Sequence, residues 1–133
     1  MQDAGGRQGG IIDSLAAAKA LLQPLFEGAR TERLYVAHLG SDGALIRLRV
    51  RYAKMDKHID FPLRTIVADA LAYGSTSLIL AHNHPSVDAT PSRTDIDATR
   101  SLIQATRVLG VTVRDHLVFG GEAFSSFRQR GLL

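Results

Sequence analysis

His82-Asn83-His84-Pro85 and Ser92-Arg93-Thr94-Asp95 bring two imidazoles and a carboxylate into one short stretch of chain. These three groups are enough to hold one zinc ion, because catalytic zinc sites draw three ligands from His, Asp, Glu and Cys and leave the fourth position to water. The sequence contains no cysteine, which excludes disulfides and thiolate metal sites. The fourth position of such a centre stays open for chemistry.

The elements that must position these residues can be read from the same segment. Residues 77–81, Ser-Leu-Ile-Leu-Ala, form a short apolar run after Gly74, which predicts a buried strand ending where the polar His-Asn-His begins. Side chains two apart in an extended chain point the same way, and Pro85 biases His84 toward extended geometry. The two imidazoles therefore converge, and Asn83 points away. Asp95, Thr99, Leu102, Thr106 and Leu109 recur at spacings of four and three, one inward face of a helix that ends before Gly110. Asp95 heads that stripe, where a merely solvated acid would not need to be.

Ser92-x-x-Asp95 also fits a capping box, with Ser92 as N-cap and an acid favoured by the helix dipole. A His-x-His pair alone is common in ordinary loops. The strand end, the His-x-His-Pro and the inward acid at a helix start together favour a metal site, in which Ser92 can cap the helix and serve the site at once.

HNHPSVDATPSRTD resembles the JAMM signature of MPN-domain metalloproteins, His-x-His-Pro, six residues, Ser-x-x-Asp, and in particular its bacterial RadC branch. The likeness extends to the stretch from Glu32 to Leu39, to Asp115-His-Leu-Val-Phe-Gly and to the C-terminus from Phe124, so it covers residues 31–133. It implies His82, His84 and Asp95 as zinc ligands and Ser92 as a hydroxyl near the reacting oxygen. It also implies a general base at the start of the first strand, where Glu32 stands; by residue type alone Glu27, a little earlier, is another acid of the same kind. Val87 and Ala89 replace a Gly and a Pro usual in the branch, and Pro62-Leu-Arg-Thr65 stands where Pro-Arg-Glu is common. The implied fold is the cytidine-deaminase-like MPN (JAB) fold, and the N-terminal helix-hairpin-helix-like region of longer members is expected to be absent.

With 133 residues, 45% of them hydrophobic, the chain can bury one core but not two. The expected organisation is a disordered Gly-rich segment at residues 1–10 and a single domain over 11–133. Asp13 or Ser14 caps a first helix through Leu22 that Pro24 closes or kinks. Leu34–Leu39 and Ala44–Val50 flank Gly40-Ser-Asp-Gly43, a hairpin signal, and Pro62 and Gly74 bracket a second helix. The motif strand and helix come next, then two strands around Gly120-Gly121. Three helices among these strands predict an α+β fold, a three-layer α-β-α sandwich with a mixed sheet.

No stretch suits a signal peptide or a membrane span, so the cytoplasm is the expected compartment and no membrane partner is expected. The net charge of +3 is mild. Arg47, Arg49 and Arg51 alternate with Leu48 and Val50, and with Lys54 and Lys57 they form a basic stripe able to meet phosphates or an acidic protein tail, or to serve as a charged edge strand. Asp115 and His116 point to opposite faces of a strand, which favours a supporting or packing role over a catalytic pair. The functional expectation is a JAMM-type zinc hydrolase of peptide, isopeptide or related amide bonds. The alternatives are a DNA-repair-associated protein of the RadC kind, whether metal-dependent nuclease or accessory, and a catalytically silent MPN scaffold.

Overall fold

Leu34 and Val36 alternate with Tyr35, Ala37 and Leu39, and both sets are buried. A strand of this kind must be covered on both faces. In a computed structural model describing residues 1–5, 10–54 and 58–133, it is β2 (Arg33–Leu39) of a mixed six-stranded sheet. The other strands are β1 (Gln2–Asp3), β3 (Leu45–Tyr52), β4 (Ser77–Asn83), β5 (Thr112–Gly120) and β6 (Ala123–Ser126), and the helices are α1 (Leu15–Leu22), α2 (Leu63–Tyr73) and α3 (Arg93–Arg107). The sheet order is β1-β3-β2-β4-β5-β6; β4 and β5 are parallel and the other neighbours antiparallel.

Helices cover the two faces unequally. Ala18 and Leu22 of α1 pack on Tyr35, Ala37, Leu39, Ile79, Ala81, Leu117 and Phe119. On the opposite face Ile66 and Ala70 of α2 and Leu102 of α3 pack on Leu34, Val36, Leu78, Leu80 and Val113. The predicted α+β three-layer sandwich is therefore present, with β2 and β4 at its centre.

The helix boundaries obey local chemistry. Ser14 caps α1 by accepting from the Ala17 N–H, and Pro24 falls in a 3₁₀ turn over Gln23–Phe26. Pro62 precedes α2, and Gly74, with φ of 65°, ends it in the left-handed region. Thr99, Leu102 and Thr106 are buried on α3 as the spacing predicts, but Leu109 is exposed because the helix stops at Arg107.

The N-terminus forms an edge strand. Gln2 and Asp3 pair with Val50 and Arg49, and the Asp3 carboxylate lies 3.3 Å from Arg47 Nη1 and 3.1 Å from Arg49 Nη1. Arg49 Nη2 also donates to Met1 O at 2.6 Å. Two arginines thus anchor a polar strand whose own side chains carry no core signal, and residues 6–9 of the segment expected to be disordered lie outside the described residues.

One irregularity positions the site. The β4–β5 register shifts between Leu78 and Ile79, so that Leu78 pairs with Val113 but Ile79 with Asp115 and Leu80 with His116. The extra residue re-aims the side chains beyond it, as bulges do beside functional sites. It places His116, rather than Asp115, opposite Leu80, a residue of the α2–α3 core.

Candidate metal centre

β4 runs two residues beyond its apolar part, so His82 is among its last paired residues, opposite Leu34 and Val118, and His84 lies just past its end. Asp95 is in the first turn of α3. Strand end and helix start bring three donor atoms together: His82 Nε2 to His84 Nε2 is 3.1 Å, His84 Nε2 to Asp95 Oδ2 is 3.0 Å, and His82 Nε2 to Asp95 Oδ2 is 3.2 Å. Metal–ligand bonds of about 2.0–2.1 Å in a tetrahedral centre put donor atoms about 3.3 Å apart. The triangle matches one face of that tetrahedron within a few tenths of an ångström.

The donor chemistry fits a cation as well. His84 Nδ1 lies 3.1 Å from the carbonyl oxygen of Asp88, which can only accept, so this nitrogen carries a hydrogen and the lone pair of the neutral ring is on Nε2. A lone pair and a carboxylate oxygen at such distances call for a proton or a metal between them. Among the described residues His82, His84 and Asp95 form a group able to hold a metal ion, as the sequence predicts.

The loop that carries His84 is braced by the β5–β6 hairpin. His84 N donates to Phe119 O at 2.8 Å, and Ser125 Oγ donates to Ala89 O at 2.6 Å. Gly120 lets the loop cross: a Cβ there would stand 2.7 Å from Asp88 C, 2.8 Å from Asp88 O and 2.9 Å from Ala89 N.

Ser92 and Asp95 form the capping box in full. Ser92 Oγ accepts from Asp95 N at 3.0 Å, and Asp95 Oδ2 accepts from Ser92 N at 2.8 Å. The cap and the metal reading are compatible, because the capped carboxylate is the one that meets both imidazoles. Burial opposes ionisation of Asp95, but the hydrogen bond and charge of His82, together with the Ser92 N–H and hydroxyl, outweigh it and hold the carboxyl well below the usual range.

Glu32, just before β2, faces this cluster. A cavity of about 50 Å³ is lined by Glu32, His82, Asp95 and His116 with apolar walls from Leu34 and Phe61, and it adjoins a wider cleft of about 530 Å³ that includes Glu32, His84, Ser92 and Asp95. Glu27 is exposed and lines neither cavity, nor do residues 63–65 of α2, where the branch commonly has Glu. Glu32 Oε2 accepts from Ile59 N at 3.1 Å and Oε1 lies 3.0 Å from Nδ1 of exposed His58, whose pKa is raised by that hydrogen bond and by the carboxylate charge.

Asn83 points away from His82 and His84, as alternation requires, and has a task there. Its Oδ1 accepts from Arg33 N at 2.7 Å and its Nδ2 donates to Thr31 O at 3.1 Å. It therefore clamps the backbone on both sides of Glu32, tying the strand that delivers His82 and His84 to the one that begins beside the acid. His116 Nε2 lies 2.6 Å from His82 Nδ1, and Thr99 Oγ1 lies 2.7 Å from His116 Nδ1. Sequence reasoning gave His116 only a supporting or packing role and did not single out Thr99 or His58 for the site. Asp115 instead ties down the C-terminal turn, accepting from Ser126 Oγ at 2.6 Å and Arg128 N at 3.1 Å.

The basic stripe is largely committed within the fold. Arg47 meets Asp3, and Arg49 meets Asp3 and Asp69, the latter at 3.2 Å. Arg51 and Lys54 line a separate cleft with Tyr52 and His58, and Lys57 lies outside the described residues.

A three-layer sandwich whose central strand delivers His-x-His to a helix-borne Asp defines a JAB/MPN-type domain with a candidate metal site. The RadC-like JAB domain family matches residues 12–132, and the chain belongs to it. It is similar to the UPF0758 protein YfjY of Escherichia coli (strain K12), 34% identical over 96% of this chain and 80% of that protein. A UPF0758 protein of Symbiobacterium thermophilum is 53% identical over 53% of this chain and 30% of its own length, and one of Picosynechococcus is 35% identical over 92% and 51%. The chain thus spans between about a third and four-fifths of the length of these relatives. No helix among the described residues is long and apolar enough to cross a membrane.

Proposed function

We propose that this domain is a zinc-dependent hydrolase of the JAMM type acting on a peptide, isopeptide or related amide bond. The observation that carries the reading is the triangle of His82 Nε2, His84 Nε2 and Asp95 Oδ2 with sides of 3.0–3.2 Å, facing Glu32 across a small cavity. Two imidazoles and a carboxylate are the ligand set of an open zinc centre, and a third lone-pair donor from cysteine is not needed. When bound, zinc would supply Lewis acidity to a carbonyl and bring the pKa of water to around 7.

The residues around it divide the remaining work. Glu32 takes the proton from the attacking water and returns it to the leaving amine, held in place by Asn83 and the Ile59 N–H. Ser92 Oγ accepts from Asp95 N, so its own hydrogen remains to be offered to the developing oxyanion at the cleft wall. The substrate enters between the His84–Ser92 side and the His58–Ile59 side of the cleft. The pairing of Arg47 and Arg49 with acids speaks for a polypeptide substrate over a nucleic acid, since those two side chains are already neutralised.

The test is a panel of peptide, isopeptide and nucleic-acid substrates, each run with and without a chelator, on the wild type and on Glu32→Gln. Amide cleavage that stops with the chelator and falls by roughly 10² to 10⁴ in Glu32→Gln, at unchanged zinc content, is the expected result. Cleavage of nucleic acid alone would replace this reading with the nuclease, and zinc binding with no turnover on any substrate would replace it with the scaffold.

A further inference from the structure

His116 is buried, and both its ring nitrogens are engaged: Nε2 lies 2.6 Å from His82 Nδ1, and Nδ1 lies 2.7 Å from Thr99 Oγ1. Thr99 Oγ1 also lies 2.8 Å from the main-chain oxygen of Asp95, one turn back on α3. The wire therefore begins at the ring of one metal ligand and ends at the backbone of another.

Hydrogen counting along this wire is restrictive. Each neutral imidazole has one N–H and one lone pair, and the hydroxyl has one hydrogen. Three hydrogens must fill four places: the three links and His82 Nε2. Leaving either link at His116 empty would set two lone pairs against each other in a buried site, at the cost of an unmade hydrogen bond. Two arrangements remain. In one, Thr99 donates to His116, His116 donates to His82, and His82 Nε2 carries a hydrogen that blocks it as a ligand. In the other, His82 Nδ1–H donates to His116 Nε2, His116 Nδ1–H donates to Thr99 Oγ1, and the hydroxyl donates to the Asp95 carbonyl, leaving a free lone pair on His82 Nε2.

We propose that Thr99 and His116 are positioning residues that set the tautomer of His82, and that a cation at the site selects the second arrangement along the whole wire. This rests on the His82-His84-Asp95 metal reading. Thr99 suits the terminal place because a hydroxyl can accept from an imidazole and pass its own hydrogen to a carbonyl, which can only accept. The register shift in β4–β5 is what brings His116 to His82, so the wire is built by the sheet and closed by the helix. Outer partners of this kind typically contribute 10- to 100-fold to metal affinity.

The experiment uses the ¹⁵N-labelled, zinc-loaded chain, with long-range ¹H–¹⁵N correlations to read the histidine tautomers. His82 and His116 should both be protonated at Nδ1. Alongside it, zinc affinity is measured by competition with a chelator for the wild type, Thr99→Val and Thr99→Ser. Val should bind zinc 10- to 100-fold more weakly at unchanged circular dichroism, and Ser should restore most of the loss. His116 protonated at Nε2 in the zinc-loaded chain, or Thr99→Val binding as tightly as the wild type, overturns the wire while leaving the metal site standing. A wild type that binds no zinc overturns the metal reading, and the wire with it.

Discussion

Gly120→Ala should damage the candidate metal site although residue 120 touches none of its three side chains. The added Cβ would stand 2.7 Å from Asp88 C, 2.8 Å from Asp88 O and 2.9 Å from Ala89 N, all backbone atoms. Carbon–carbon contacts settle near 3.5–4.0 Å, so the loop must retreat by roughly 0.7 Å or more. That retreat acts on His84, whose Nδ1 is oriented by the Asp88 carbonyl and whose N–H is held by Phe119 O. Functional constellations tolerate about 0.5 Å of displacement, so the loss of this outer support should weaken zinc binding by roughly 10- to 100-fold. Overpacking should also cost about 1–3 kcal/mol of fold stability, a fall in Tm of roughly 4–12 °C for a domain of this size. Chelator competition and thermal melting of the metal-free protein measure the two effects separately. Unchanged zinc affinity in Gly120→Ala would refute the claim that the β5–β6 hairpin sets the His84 loop.

Other substitutions address the remaining groups. Asp95→Asn keeps an oxygen able to accept from the Ser92 N–H, so it should preserve α3 while losing most zinc binding; metal analysis that still finds one zinc per chain would sink the ligand assignment. His38 is buried beside Ser75 with its Nε2 unpartnered, and burial lowers its pKa from 6.5 to about 4. Its contribution to stability is therefore fully present above pH 6.5 and lost as pH falls toward 4, about 2.5 kcal/mol by pH 4.5. Urea denaturation at pH 7 and pH 4.5 should show a larger loss in the wild type than in His38→Gln; equal losses would show that another group titrates.

The candidate metal cluster of His82, His84 and Asp95 was legible because each residue sits where one local rule applies. Apolar residues stop at Ala81, so the strand's polar end had to carry His82, and the spacing from Asp95 to Thr106 turned the acid inward. The hairpin at Gly40–Gly43 and the ends of α2 rest on turn and cap chemistry that spans only a few residues. The rest depends on distant pairing. A polar Gln2–Asp3 strand is specified by Arg47 and Arg49 of β3, and no pattern within residues 1–10 encodes it. The same is true of the stripe itself: Arg47 and Arg49 look free until β1 and Asp69 are placed beside them.

Residues 82 and 83 show where alternation ends as a guide. It correctly sent His82 and Asn83 to opposite faces, but a face is only a direction. His82 gains its partner because one extra residue in β5 moves His116 beside it, and Asn83 gains its partners because β2 begins directly across from β4. Both partners arise from register, which is set by the whole sheet. Asn83 consequently joins the two halves of the proposed chemistry: its neighbours in sequence are the candidate ligands His82 and His84, while its hydrogen bonds hold Thr31 and Arg33 on either side of Glu32. A displacement of β2 relative to β4 would therefore move Glu32, the proposed base, away from the candidate ligands, and the amide of Asn83 is a side chain that opposes it.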